Sequence, residues 1–397
     1  MKKKFELNNK TIGLLTIILA SLTALSPFAI DTYAPAMPFM AKNLDVNLHN
    51  IELSLTIYVI GYALGQFFGG PLSDNIGRKP VVYIGLSVFL ISSFLLANTN
   101  SLMGLYLYRF TQALGGGFSI VVSMAIVRDL FSGVALAKRI SYIGMFMMAA
   151  PLVAPAVGTF LLKFFGWRSI FIFLGGYSSL VIGLMFIFIP ETKDTHIKRT
   201  QIKQLANNYL KVLKNNQSIS LILAAALGFS GMYTFITGSS KLYLEYFKLP
   251  LEIYPLLFGS NVLLMIILGG VNARLVGFIK PIKILNIGLL IQVIVGGLLF
   301  VFMGVKNPEF WIVFPLIVIF VGVLGLIFAN ANAIVLEMYP NSSGTTSALI
   351  GVIEFSVAGI VGFISNIFQN ETIAPIGIIM FACTLGANLS FRVLRKL

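Results

Sequence analysis

Twelve apolar segments, each long enough to cross a bilayer as a helix, leave this chain few folds to choose from. They lie near 12–32, 51–71, 80–98, 103–127, 139–161 and 168–189, then near 218–238, 253–273, 283–303, 310–333, 345–367 and 373–391. About 20 residues of helix span the hydrocarbon core, where every backbone polar group must be satisfied within the chain. Composition agrees: 57% of the residues are apolar and 11% charged, against about a quarter charged in a soluble domain. The expected fold class is an all-α integral membrane protein. The N-terminal MKKKFELNNK precedes an apolar run too long for a cleavable leader, with no small-residue cleavage site after it, so it is expected to remain as the first membrane helix.

An even number of crossings puts both termini on one side, and the basic residues say which. The opposite side has Lys42, Lys163, Arg168, Lys241, Lys248 and Lys306, and Arg109 lies inside a span; every other Lys and Arg falls on the terminal side. By the positive-inside rule both termini are cytoplasmic. The net charge of +14 is therefore topology and not a nucleic-acid footprint. Residues 190–217 divide the segments into 1–189 and 218–397, six spans each. Within this linker Ile202, Leu205, Tyr209, Val212 and Leu213 recur at helical spacing among lysines. That pattern fits a basic amphipathic helix on the inner leaflet, or an ordinary solvated linker.

Enzymatic chemistry finds little to work with. The single Cys383 excludes an internal disulfide framework and a cysteine metal cluster. His49 and His196 fall in expected loops, there is no HExxH, and no Gly-Lys pair exists to make a phosphate-binding loop. The chain is expected to be no enzyme, with no metal, no cofactor and no ATP.

Charged residues within spans are then the functional candidates, because each costs about 2.5–3.5 kcal/mol at a helix centre. Asp31 closes the first span in AIDTYAPAMP, and Arg109 lies about eight residues into the fourth in LYLYRFTQALGGG. Their spans run in opposite directions, so the two reach similar depths; pairing or a shared cavity is expected over two independent charges. Glu354, mid-span in SALIGVIEFSVAGIVG, shares a helix face with Ser347, Gly351, Ala358 and Gly362. A stripe of small residues lets helices approach closely. Glu354 thus faces protein or cavity, either as a titrating group or as a protonated, hydrogen-bonded structural glutamate. The second span carries a matching stripe, Gly61, Gly65 and Gly69, and the fifth carries Pro151 and Pro155 between Gly144 and Gly158.

Between the second and third spans lies GGPLSDNIGRK, Gly69 to Lys79, and GGVNARLVGFIK from Gly269 echoes its glycines half a chain later. This loop, its position and its echo resemble the signature of the major facilitator superfamily, which implies two pseudo-symmetric six-helix bundles. The fifth span is similar, more loosely, to that superfamily's antiporter signature. IDTYAPAMP, YRFTQALGGG, VRDLF, GWRSIFIF and ANANAIVLEMYPNSSGTTSALIGVIE resemble the bicyclomycin-resistance and chloramphenicol-efflux (Bcr/CflA) branch of drug:proton antiporters. Glu354 departs from the amide expected there, which could favour a cationic or zwitterionic ligand.

The resemblance implies a monomeric, proton-driven efflux transporter of the inner membrane, exporting a small amphipathic drug-like molecule by alternating access. Export of an endogenous metabolite such as a siderophore, sugar or amino acid is the alternative, and a non-transporting scaffold or receptor a further one. Proton coupling is expected at Asp31 and Glu354. The substrate cavity is expected to include Asp31, Tyr33, Arg109, Gln112, Tyr233 and Glu354. A cytoplasmic gate of Gly70, Asp74, Gly77, Arg78, Lys79 and Asp129 would seat Asp74 at the start of the eleventh span, near Ser343 to Thr346, and bond Arg78 to Asp129.

Overall fold

The computed structural model describes residues 9–193, 202–368 and 372–394, and among them the chain is helical with no strand. The helices are α1 (Asn9–Asp31), α2 (Met37–Leu44), α3 (Leu48–Ile76), α4 (Arg78–Ala97), α5 (Leu102–Leu130), α6 (Gly133–Phe165) and α7 (Arg168–Phe188). After these come α8 (Ile202–Leu213), α9 (Asn216–Ser240), α10 (Tyr254–Leu275), α11 (Pro281–Gly304), α12 (Phe310–Gly322), α13 (Leu324–Met338), α14 (Ser343–Ile367) and α15 (Ala374–Leu389). Twelve of the resulting segments are long and apolar enough to cross a membrane, α12 and α13 together making one of them. They form two six-helix bundles, α1–α7 and α9–α15.

Several helices outrun the apolar segments that announce them. The apolar run near 51–71 becomes α3 from Leu48 to Ile76, because hydropathy marks only the part in hydrocarbon and nothing breaks the helix until Gly77. There φ is +111°, a conformation a side chain would strain. Local caps fix other starts: Ser101 Oγ accepts from the Gly104 N–H at 3.0 Å, and Asn215 Oδ1 from the Ser218 N–H at 3.0 Å.

The stripe Gly61, Gly65, Gly69 packs on α5. A Cβ at Gly61 would lie 2.5 Å from the Phe110 carbonyl oxygen, and Gly69 meets Phe118. Periodicity reveals a close-packing face but not its partner. α14 does lie along α3, through Gly351 on Gln66, Gly359 on Ile60 and Gly362 on Thr56.

The linker's amphipathic pattern does form a helix, α8, and two of its apolar residues pack on protein. Val212 is buried among the residues of α9 and α13, Tyr209 packs at its edge, and the Tyr209 ring lies 6.4 Å from Phe67. Leu210 and Leu213 stay exposed.

The two ends of the molecule differ. At the end away from residues 74–79, the bundles are tied directly. Ser240 Oγ donates to the Ala34 carbonyl, the Asn366 amide to the His49 carbonyl at 2.6 Å, and Lys163 pairs with Glu252 at 2.8 Å. At the end carrying 74–79 the bundles meet across a cavity of about 210 Å³.

Candidate functional site

Arg109 sits on α5 where α1, α3 and α4 converge, and its side chain is fully buried. The guanidinium is held between two phenol rings, 4.5 Å from the Tyr33 centroid and 4.2 Å from that of Tyr58. Nη1 donates to Gln112 Oε1 at 2.8 Å and to the Ala29 carbonyl at 3.3 Å. Gln112 Nε2 donates onward to Ser93 Oγ at 2.8 Å. The phenols are themselves fixed, Tyr33 by Ser54 at 2.7 Å and Tyr58 by Ser26 at 3.0 Å. Ring faces and carbonyl oxygens thus do here what a carboxylate does elsewhere. Nε and Nη2 have no hydrogen-bond partner among the described residues. The structure places Tyr33 and Gln112 around Arg109, both fully buried.

Asp31 does not pair with Arg109, and neither takes part in the ion pairs Arg78–Asp74, Arg78–Asp129 and Lys163–Glu252. Asp31, 3% exposed, is the last residue of α1, at the negative end of the helix dipole. What joins the two is Tyr233 of α9, close enough to feel both charges. Its hydroxyl donates to the Leu55 carbonyl at 2.7 Å, so it crosses between bundles. Tyr254 of α10 also stands near Asp31.

The loop after α3 builds a polar knot. Arg78 opens α4; its Nε donates to Asp129 Oδ2 at 3.0 Å, and Nη1 to Ser73 Oγ at 2.8 Å and to Asp74. Thr192 adds a 3.0 Å bond to Asp129, and Lys79 Nζ reaches the Phe186 carbonyl at 3.3 Å. Glu191 accepts from the Arg78 and Lys79 backbone N–H groups, both at 3.0 Å: an anion at a helix N-terminus, where the dipole favours it. A Cβ on Gly77 would lie 2.8 Å from that carboxylate.

The expected seat of Asp74 at the start of α14 is not made. Asp74 and Arg78 are one turn apart across the Gly77 break, and Arg78 takes the carboxylate. The side chain that reaches α14 is Arg128, whose Nη1 would lie 2.8 Å from a Cβ on Gly344. Gly70, Asp74, Arg78, Asp129, Tyr209 and Gly344 all border the 210 Å³ cavity. Burial, then the charge of Asp74, pushes the Tyr209 phenol above its ordinary range. The echo at Gly269 builds no such knot, because GGVNARLVGFIK contains no carboxylate. Instead the Asn330 amide donates to Asn272 Oδ1 at 2.6 Å.

Glu354 is half-buried in α14; the Asn332 side chain hydrogen-bonds its carboxyl, and Oε1 is enclosed with no hydrogen-bond partner among the described residues. α6 continues through Pro151 and Pro155 as one helix. Of its two signature glycines, Gly158 backs onto the Thr32 carbonyl while Gly144 faces open space.

These placements set the residues beside known proteins. The family model described as Major Facilitator Superfamily matches residues 19–387. The chain belongs to the Major Facilitator Superfamily. It is 33% identical over 384 residues, 96% of each chain, to a bicyclomycin resistance protein homolog of Haemophilus influenzae. It is 27% identical over 372 residues, 92% of each, to multidrug resistance protein D of Escherichia coli. Among solved structures it resembles the nucleoside transporter NupG with a TM-score of 0.75 and 12% identity, covering 96% of this chain and 99% of that one; this likeness concerns the fold. The protein is thus a multi-pass membrane transporter of that superfamily and not an enzyme.

Sequence reasoning passed over three residues of this transporter. Glu52 is 1% exposed, near Tyr33; it falls on the face of α3 that also buries Leu55, Val59 and Tyr62, and helical spacing could have found it. Glu191 and Arg128 act on helices distant in sequence, and no local pattern marks them.

Proposed function

We propose that this transporter is a proton-coupled antiporter of the inner membrane that exports a small amphipathic, drug-like molecule by alternating access. The observation that carries the reading is Asp31: a buried carboxyl without an ion-pair partner among the described residues, at the contact between the bundles, and near Tyr233 and Tyr254 of the second one. In a transporter whose relatives bear drug-resistance names, such a group can exchange a proton for a substrate. Protonation from the far side removes the charge and releases the solute; deprotonation towards the end carrying 74–79 resets the site. Arg109, clamped by its tyrosines, keeps a fixed positive field, and Tyr233 passes the change in Asp31 to the second bundle.

The knot at Arg78 would serve as the cytoplasmic gate, with both termini on that side, and bundles 1–189 and 218–397 would rock about the linker. A potential of 100 mV supplies about 2.3 kcal/mol per charge moved, about a fiftyfold gradient, so protons suffice and no cofactor is required. The transporter would work as a monomer. Cells with and without the protein, loaded with a panel of fluorescent drugs, test the reading. Lower accumulation that rises when a protonophore collapses the gradient is expected; accumulation indifferent to both protein and protonophore refutes it.

A further inference from the structure

The linker helix α8 has two faces, and only one of them is used by the protein. Tyr209 and Val212, one turn apart, turn inwards: Val212 is buried, and Tyr209 borders the 210 Å³ cavity beside Asp74 and Gly344. On the other face Leu210, Leu213 and Lys214 follow at helical spacing, with Lys211 at their edge. Leu210 is 48% exposed and Leu213 42%, and both lysines are exposed too. Neither lysine takes part in the ion pairs Arg78–Asp74, Arg78–Asp129 and Lys163–Glu252.

Two exposed leucines alone would need no explanation; their depth supplies one. The Tyr209 ring lies 6.4 Å from Phe67, which stands about 13 Å back from the end of α3 at Ile76. Phe67 and its neighbour Phe68 are exposed on a helix long and apolar enough to cross the membrane, so they face acyl chains. A helix seated against Phe67 therefore lies at the edge of the hydrocarbon and not free in water. There Leu210 and Leu213 continue the apolar surface of α3. The lysine stems can run along that surface and hold their ammonium groups at headgroup level, as basic interfacial helices do.

We propose that α8 docks on anionic phospholipids of the leaflet beside residues 74–79, and that this docking sets how far Tyr209 enters the gate cavity. Lipid phosphates would take Lys211 and Lys214, and acyl chains would take Leu210 and Leu213. Tyr209 is on the opposite face of the same helix, and Val212 fastens that helix to the second bundle. Lipid held at Lys211 and Lys214 thus moves a ring that stands between the bundles. The docking is independent of Asp31 and of proton coupling; its effect on Tyr209 rests on the gate reading above.

The probe is phosphatidylglycerol with a nitroxide on its acyl chain, compared with phosphatidylcholine carrying the same label. The full-length protein with Cys383→Ser and Leu210→Cys is given a fluorophore at position 210 and reconstituted in phosphatidylcholine vesicles that contain one labelled lipid at a time. A lysine near an anionic surface contributes about fivefold. Labelled phosphatidylglycerol should therefore reach half-quenching at about a threefold or more lower mole fraction than the neutral lipid. The preference should vanish in about 1 M salt, where the Debye length is about 3 Å, and in the double variant Lys211→Gln, Lys214→Gln. Quenching by neither lipid would put the face in water, and equal quenching by both would leave apolar contact alone. An undiminished preference in the double variant would assign it to other basic residues. Each of these overturns the docking. The gate is read separately, from the labelling rate of Ser342→Cys in the Cys383→Ser protein. That rate should differ about twofold or more between phosphatidylglycerol and phosphatidylcholine vesicles, and the difference should disappear in the double lysine variant. Equal rates in the two lipids, or a difference that survives the double variant, overturn the link from α8 to the gate.

Discussion

Replacing Arg109 should reveal what holds a buried charge that has no carboxylate. Arg109→Met keeps a straight side chain and removes the guanidinium. Lost are two ring contacts, at 4.5 and 4.2 Å, each worth about 2 kcal/mol when desolvated. The 2.8 Å bond to Gln112 goes as well, about 1.5–3 kcal/mol for a charged donor. Against this stands the penalty for taking a cation out of water, several kcal/mol even after relaxation. The opposing effects are of similar size, so the Met protein should be destabilised by no more than about 3 kcal/mol. Arg109→Lys keeps the penalty and loses most of the compensation. A compact ammonium cannot stack between Tyr33 and Tyr58 or fork to Gln112 and Ala29 together. The conservative substitution should therefore be the more damaging to stability, while both variants lose transport. Apparent unfolding midpoints measured in one detergent at one scan rate decide it, the scan rate being fixed because such unfolding is irreversible. A Lys protein that melts with the parent, or above the Met protein, refutes this account of the site.

Other variants probe the loop. Gly77→Ala places a side chain at φ +111° and against Glu191, and should lower stability by about 1–3 kcal/mol; an unchanged midpoint would mean the turn relaxes freely. Asp129→Asn removes the Arg78–Asp129 pair, whose side chains are 14% and 24% exposed, and should cost about 1–2 kcal/mol, as expected for a partly screened charged bond. With Cys383 removed and a probe introduced by Ser342→Cys, Asp74→Asn should change the labelling rate about twofold or more, because a lost charge-assisted bond shifts a two-state equilibrium; equal rates would deny the loop any part in gating.

Much of this was legible from residue types alone. Twelve apolar runs leave one structural class, and in a chain only 11% charged each carboxylate or guanidinium inside a span stands out. Asp31, Arg109 and Glu354 were found that way, and the Arg78–Asp129 bond followed from the resemblance of the loop. What sequence could not supply is choice of partner. Arg109 has Tyr33 and Tyr58 for company: Tyr33 was expected with it in a cavity, but neither ring is marked in the sequence as a cation's partner. Asp74 took Arg78 over the α14 terminus because one helical turn is shorter than the distance between bundles. The glycines of α3 announced a close approach but not whether α5 or α14 would make it. Glu191 caps a helix more than a hundred residues upstream, a relation that no window along the chain contains.

The central claim, that Asp31 couples proton movement to export, is tested most directly in proteoliposomes with an imposed pH gradient and a drug identified by the accumulation screen. Drug addition should drive proton flux in the parent and none in Asp31→Asn, with the variant reconstituting to the same level and keeping the parent's gel-filtration profile. Drug-dependent proton flux of parental size from Asp31→Asn would contradict the account.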